Sequence, residues 1–252
     1  MTAKKNYIYG RYALKTDIGR VRLNNEDRAL ALTNTRGNIL LVVCDGMGGQ
    51  NKGELAASLA VDTIANAFKE KDRFPNKFLA KLWVSHIIRK VNSEIFRQSS
   101  SSQSYQGMGT TITLVLIVNN YMVVAQAGDS RAYSYRNRNL EQITEDQTYV
   151  QYLYRIGEIK QEDIPTHPKR HVLMNALGIY PSLDLDIKTM PYMNDSLLLC
   201  SDGLYNNVPE KDILSIMKST DTPDQKVNEL ISLANNNGGS DNIGVVIWEA
   251  QQ

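Results

Sequence analysis

Cysteine is nearly absent from this chain. Two thiols in 252 residues, Cys44 and Cys200, cannot staple a disulfide scaffold. Each lies inside an apolar run, where it reads as a small buried hydrophobe in a reducing compartment. Histidine is scarce too, at three residues, and no Cys/His cluster is available to hold zinc. An excess of charge of one sign is also missing. The 28 basic and 27 acidic side chains leave a formal +1, which argues against nucleic-acid or membrane binding driven by basic charge. No apolar run approaches the roughly 20 residues that a membrane span needs. Behind the lysines of Met1-Thr-Ala-Lys-Lys-Asn-Tyr7 there is no hydrophobic leader segment, so a cytoplasmic location is the expectation. A 42% hydrophobic content suffices for one sizeable core, and a single domain over 1–252 is the default.

What the chain does have is a set of aspartates at the ends of apolar runs. Ile39-Leu-Leu-Val-Val-Cys44 reads as a buried strand, ending at Asp45 and breaking into Gly46-Met-Gly-Gly49. A carboxylate at a rigid strand tip, beside an unobstructed glycine carbonyl, suits a hard cation with oxygen ligands. No Gly-Lys-Ser/Thr follows, so the loop is not a P-loop. Taken alone, the stretch is more simply a strand and a tight turn. The pattern recurs, however, in Ser196-Leu-Leu-Leu-Cys-Ser-Asp-Gly203 and Val123-Val-Ala-Gln-Ala-Gly-Asp129. Asp241 precedes the apolar run Ile243 to Trp248, and Asp27 closes Asn24-Asn-Glu-Asp27. Five aspartates at strand or turn boundaries, without competing soft ligands, favour Mg²⁺ or Mn²⁺ over zinc.

The remaining chain reads as α+β. Strands are expected over Tyr12 to Ile18, Thr110 to Val118, Tyr121 to Ala127 (a hairpin through Asn119-Asn120), Ser130 to Tyr135 and Ile243 to Glu249. Gly53 to Phe68 reads as a helix with Leu55, Leu59, Ala60, Ile64, Ala67 and Phe68 on its inner face. Asn76 to Gln98 reads as a second, with Leu79, Leu82, Trp83, His86, Ile87, Val91 and Ile95 inward and His86 as a partly buried core residue. Ser99 to Gly107 is a serine-rich loop, Pro209 to Lys218 and Thr222 to Asn236 are the final helices, and residues 1–12 are a polar extension. Helices in pairs beside antiparallel strands argue against a doubly wound parallel sheet.

Six motifs, Gly19-Arg-Val-Arg-Leu-Asn-Asn-Glu-Asp27, Asp45-Gly-Met-Gly-Gly49, Gly109-Thr-Thr111, Gly128-Asp-Ser-Arg131, Ser201-Asp-Gly203 and Ser240-Asp-Asn242, occur in this order along the chain. In that combination the chain resembles the metal-dependent protein phosphatases of the protein phosphatase 2C (PPM) family, and most of all its short bacterial serine/threonine members. The resemblance implies a four-layer αββα fold: a central antiparallel β-sandwich with helix pairs on both outer faces. It implies hydrolysis of phosphoserine and phosphothreonine by direct attack of a hydroxide bridging two divalent cations, Mn²⁺ or Mg²⁺, with a possible weaker third.

Carried over residue by residue, Asp45 bridges the cations, the Gly46 carbonyl serves one, and Asp202 and Asp241 complete the other. Glu26 and Asp27 orient water, Asn242 supports the ligands, and Arg22 binds the substrate phosphate in preference to its neighbour Arg20. Asp129 with Asp202 matches the third-cation position, or Asp129 simply caps its turn. The segment from about 145 to 190 matches a flap beside the site. His167, Lys169, Arg170 and His171 in it read equally as phosphopeptide contacts or as a solvated loop.

Three departures stand out. Met47 occupies a place where many eukaryotic members carry histidine and cannot donate a proton; Gln147 stands where bacterial relatives commonly have histidine; Tyr205 stands where a small hydroxyl residue is usual. The expected partners are phosphorylated proteins, including a Ser/Thr kinase of the same cell, with no nucleic acid and no membrane span; a monomer is expected. The other readings are a pseudophosphatase that binds phosphoproteins without turnover and a dinuclear hydrolase of small phosphate esters.

Overall fold

The computed structural model describes residues 9–48 and 52–251. Gly49 and the first eight residues of the polar N-terminal stretch lie outside the described residues.

Among the described residues, eleven strands form two antiparallel sheets. One sheet runs β1 (Gly10–Asp17), β11 (Ile243–Ala250), β10 (Ser196–Cys200), β7 (Arg131–Arg136) and β8 (Asn139–Gln142). The other runs β2 (Asp27–Thr33), β3 (Ile39–Met47), β5 (Ile112–Val118), β6 (Tyr121–Ala127) and β9 (Asp186–Pro191), with the two-residue β4 (Gly109–Thr110) added at the tip of β3. The apolar strands are continuous because both of their faces are covered. In β3, Leu40, Val42 and Cys44 enter the core under α1 (Lys52–Lys69) and α2 (Lys77–Ser99). Their neighbours Ile39, Leu41 and Val43 enter the core between the sheets. On the opposite side, Leu198 and Cys200 of β10, with Ile243, Val245 and Ile247 of β11, meet α5 (Glu210–Lys218) and α6 (Pro223–Asn236). Leu197, Leu199, Val246 and Trp248 close the inter-sheet core. Four layers, αββα, follow from a period of two in strands with two buried faces.

Local signals set the elements. Asn76 caps α2 by accepting from the Leu79 N–H at 2.9 Å, and Thr222 with Gln225 forms a capping box ahead of Pro223 at the start of α6. Asn119 turns the β5–β6 hairpin at φ 52°.

Four expectations need correction. The inner face of α1 is built on Ala56, Ala57, Ala60, Ile64 and Phe68, whereas Leu55 is exposed and Leu59 and Ala67 are half-buried. Small side chains let the helix sit close on the sheet, and the stripe is rotated accordingly. In α2 the buried stripe is Ala80, Val84, Ile87, Ile88, Val91 and Ile95. Leu79, Leu82 and His86 are therefore turned outward and Trp83 lies on the flank. The segment 145–190 is too long for a flap, because Asp186–Pro191 is an edge strand paired with β6. Its half-polar sequence reads as loop, and Pro191 is tolerated because it lies at an edge. Finally, β2, β4, β8 and the one-turn helix α4 (Asp202–Tyr205) are additional elements, and the segment between β8 and β9 carries α3 (Tyr149–Arg155) and a 3-10 turn at Gln161–Thr166.

Candidate metal centre

The carboxylates collect where the two sheets end together. In the β2–β3 ladder Asp27 lies directly opposite Asp45, so the acidic ends of two strands share one edge. The Asp45 backbone is held from both sides. Its N–H donates to Thr111 Oγ1 at 2.9 Å, and its carbonyl accepts from the Thr111 N–H at 2.8 Å and the Thr110 hydroxyl at 3.0 Å. Thr111 Oγ1 lies 2.8 Å from Ser130 Oγ, which links this strand tip to the Asp129 turn.

Gly46 has no room for a side chain. A Cβ there would lie 2.3 Å from the Gly53 carbonyl group and 2.8 Å from the Glu26 carbonyl oxygen. Strand β3 and helix α1 thus meet backbone to backbone. Arg28 of β2 reinforces the contact, donating to Glu54 Oε1 at 2.6 Å and to Ser58 Oγ at 3.0 Å on α1.

Asp27 is fully buried. Its Oδ2 accepts from the Ser201 hydroxyl at 2.6 Å, while Oδ1 has no hydrogen-bond partner. Ser201 in turn accepts from the Gly244 N–H at 2.7 Å. Asp202 opens α4, with Oδ2 accepting from Asn206 Nδ2 at 3.1 Å and Oδ1 buried without a partner. Asp241 accepts from Arg22 Nη2 at 2.6 Å.

Burial pushes Asp27, Asp45, Asp129 and Asp202 up, and neighbouring carboxylates push them further. Asp27 rises to about 7, first through desolvation and then through Asp241, despite the Ser201 bond. Asp129 rises to about 6, through desolvation and then Asp146. Asp45 and Asp202 are raised well above the carboxylate range, by desolvation and then by the other aspartates. Such a set favours a cation. Its donors are all oxygen, two buried carboxylate oxygens lack partners, and the glycine at the strand tip leaves its carbonyl unscreened. These residues fit a hard divalent ion. Among the described residues no three His, Cys, Asp or Glu side chains close tightly enough to hold an ion by themselves.

Asn242 ties the Arg22 loop to the centre. Its Oδ1 accepts from the Glu26 N–H at 2.9 Å, and its Nδ2 donates to the Ile18 and Asn24 carbonyls, each at 2.9 Å. Asn242→Ala is expected to lower the melting temperature, through roughly 1–3 kcal/mol of unsatisfied polar groups. It is also expected to reduce kcat/KM by about a hundredfold through misplacement of Arg22. A thermal scan alongside steady-state kinetics tests both. Unchanged kinetics would remove Asn242 from the site.

The structure brings together Asp27, Asp45, Asp129, Asp202 and Asp241, with Arg22 half-exposed at their rim. Glu26 enters through its backbone, donating to Asn242 and accepting from the Gly46 N–H at 3.2 Å. Of the flap residues, His171 lies nearest, with Nδ1 3.9 Å from Asp202; burial and Arg170 lower its pKa. His167 accepts from the Lys169 N–H at 3.1 Å, and the Lys169 ammonium lies over the Tyr149 ring at 5.2 Å. The Arg170 N–H donates to the His167 carbonyl at 3.1 Å. The roles of Thr110, Thr111, Ser130 and Ser201 are not assigned from sequence. The available signal is a hydroxyl residue next to an aspartate for Ser130 and Ser201, or opposite a strand tip for Thr110 and Thr111.

The chain is similar to known proteins over most of its length. A family model described as Protein phosphatase 2C matches residues 19–235. A serine/threonine phosphatase of Listeria monocytogenes is 39% identical over 236 residues, covering 93% of this chain and 94% of that protein. A serine/threonine phosphatase structure from S. agalactiae superposes with a TM-score of 0.91 at 32% identity, covering 96% of this chain and all of that one. The catalytic domain of the phosphatase PstP, solved with two manganese ions, superposes with a TM-score of 0.85 at 32% identity, covering 96% of this chain and 99% of that domain.

Proposed function

The chain belongs to the protein phosphatase 2C family, and on that premise we propose how its residues carry out metal-dependent hydrolysis of phosphoserine and phosphothreonine in proteins. The observation that carries this reading is the cluster of aspartates at one edge, with Asp27, Asp45, Asp129 and Asp202 raised first by burial and then by neighbouring carboxylates, and with unpartnered oxygens on Asp27 and Asp202. Asp45, the Gly46 carbonyl, Asp202 and Asp241 would hold two Mn²⁺ or Mg²⁺ ions, and Asp129 with Asp202 would hold a weaker third. Ions held there would supply an acidified water and offset the charge of the phosphoryl group. Asp27, kept in place by Ser201, and Glu26 orient that water. Arg22, presently on Asp241, turns its guanidinium to the phosphoryl oxygens and keeps the ester in line with the attacking oxygen. No protein nucleophile is needed, and Met47 supplies no proton to the leaving alkoxide.

Among the described residues no helix is long and apolar enough to cross a membrane. We propose further that the whole chain forms one phosphatase domain, acts as a monomer in the cytoplasm, and opposes a Ser/Thr kinase. His167, Lys169 and Arg170 are proposed as contacts for the phosphoprotein beyond the phosphate.

The test is release of phosphate from a phosphothreonine peptide in EDTA, Mg²⁺ or Mn²⁺, with Asp202→Asn beside wild type. Turnover that requires the metal and falls at least about a hundredfold in the variant is expected. Turnover of free nucleotides but not of the peptide would instead assign the centre to small phosphate esters.

A further inference from the structure

Tyr205 occupies a position that no ligand role explains. It closes the one-turn helix α4 that Asp202 opens. Its hydroxyl donates to the Asp129 carbonyl at 3.2 Å. Its ring lies 3.6 Å from the guanidinium carbon of Arg131, a cation–π contact. That guanidinium is itself fixed, donating to both oxygens of Asp146 at 2.7–3.1 Å and to the Tyr133 hydroxyl at 3.1 Å. One rigid ring therefore spans the helix that carries Asp202 and the turn that carries Asp129. Both flanks of the turn are held elsewhere. Gly128, at φ +108°, has its N–H and carbonyl taken by Gln147 at 3.0 Å each. The Ser130 carbonyl accepts from Thr113 Oγ1 at 2.6 Å and Gln126 Nε2 at 3.0 Å, while the Asp129 carbonyl between them takes the Tyr205 hydroxyl. Thr111 packs beneath it, where a Cβ on Gly128 would come within 2.6 Å of its methyl carbon.

We propose that Tyr205 is a positioning residue for the Asp129–Asp202 pair, setting the spacing of these two carboxylates and hence the affinity for the weaker third cation. The proposal rests on the assignment of that pair made above. A hydroxyl at the end of a stacked ring moves little, so the distance from α4 to the Asp129 backbone is fixed before any ion arrives. A short side chain at 205 could reach neither Arg131 nor the Asp129 carbonyl and would leave the flanks of the turn held by Gln147, Gln126, Thr111 and Thr113, with no bond from α4 to Asp129 itself. The two tighter ions depend on Asp45, Gly46, Asp202 and Asp241, whose backbones Tyr205 does not touch through its hydroxyl.

The experiment is a Mn²⁺ titration of the full chain followed by the electron paramagnetic resonance signal of the free ion. Tyr205→Phe keeps the ring and its stack and removes only the hydroxyl. We expect the weakest ion to loosen by about tenfold, the two tighter ions to hold their affinities, and the melting temperature in EDTA to move by less than about 2 °C. Asp146→Asn, which slackens the Arg131 clamp under the ring, is expected to loosen the same ion. Loosening of all three ions together with a fall in melting temperature would overturn the proposal in favour of a general structural role. An unchanged weak ion in Tyr205→Phe would overturn it alone. A wild-type protein that binds only two ions, or a third that survives Asp129→Asn, would overturn the assignment of Asp129 and the proposal with it.

Discussion

Asp45→Asn is expected to cost at least about a thousandfold in kcat/KM on a phosphothreonine peptide, and yet to raise the melting temperature of the EDTA-treated protein. The two effects share one cause. The Asp45 carboxyl is pushed well above the ordinary range, first by burial and then by Asp27, Asp202, Asp129 and Asp241. Asp27, at about 7, and Asp129, at about 6, are displaced in the same direction. A carboxyl raised on folding keeps protons that the unfolded chain has already released. Its stabilising contribution is complete below about pH 4 and is lost as pH rises through the folded value. EDTA-treated wild type is therefore expected to melt lower at pH 8 than at pH 5, and Asp45→Asn to show a smaller drop. Mn²⁺ reverses the cost in wild type. At a hundredfold excess over its dissociation constant, binding adds about 2.7 kcal/mol, or about 5–10 °C for a domain of this size. The variant should gain almost none of this. Thermal scans at both pH values, with EDTA and with Mn²⁺, decide the matter; a full Mn²⁺ shift in Asp45→Asn would remove this residue from the centre.

Gly46→Ala is expected to be nearly as damaging to activity, and by another route. The added methyl would stand 2.3 Å from Gly53 backbone atoms and 2.8 Å from the Glu26 carbonyl oxygen. Backbone on both sides cannot turn away as a side-chain end can. Relief requires α1 to back off from β3 or the strand tip to shift, and either movement displaces the Gly46 carbonyl and the Asp45 carboxylate. Overpacking of this kind costs about 1–3 kcal/mol, and a displacement of about 1 Å at the reacting centre costs about a hundredfold in rate. Gly53→Ala presses on the same contact from the helix side, 2.4 Å from the Gly46 carbonyl carbon, and is expected to give the same result. Normal Mn²⁺-dependent activity in Gly46→Ala would show that the strand tip does not need this close approach.

Much of this arrangement is legible in the residues. The continuous apolar runs of β3, β10 and β11 announce strands covered on both faces, and each aspartate marks a strand end or a turn. The hydrophobic period of α2 places a helix but not its orientation. Leu79, Leu82 and Trp83 outweigh Ala80 and Val84 in any count of apolar side chains, yet the smaller residues lie inward because the sheet leaves little space beneath the helix. Strand β9 is hidden for the opposite reason: an edge strand with one covered face carries charges that read as loop. In the centre, the acids are legible because all but Asp27 stand beside glycine or asparagine, and Asp27 follows Asn24-Asn25 by two positions. What holds them is less so, since the bonds of Asn242 to Ile18 and Asn24 span 224 and 218 residues. The contact of Tyr205 with Asp129 likewise joins positions 76 apart.

The place of β11 inside its sheet also constrains how the molecule is made. It pairs with β1, from Gly10 opposite Ala250 to Asp17 opposite Ile243, and on its other edge with β10. It follows every other strand in chain order, so β1 waits for a partner throughout synthesis. Pairings of such long sequence separation close slowly. The ladders of β2, β3, β5 and β6, and of β7, β8 and β10, need no later strand, but β1 joins its sheet only through β11. A chain cut before residue 243 is therefore expected to keep Asp45 on a formed strand, to leave β1 and β10 unjoined, and to show no phosphatase activity.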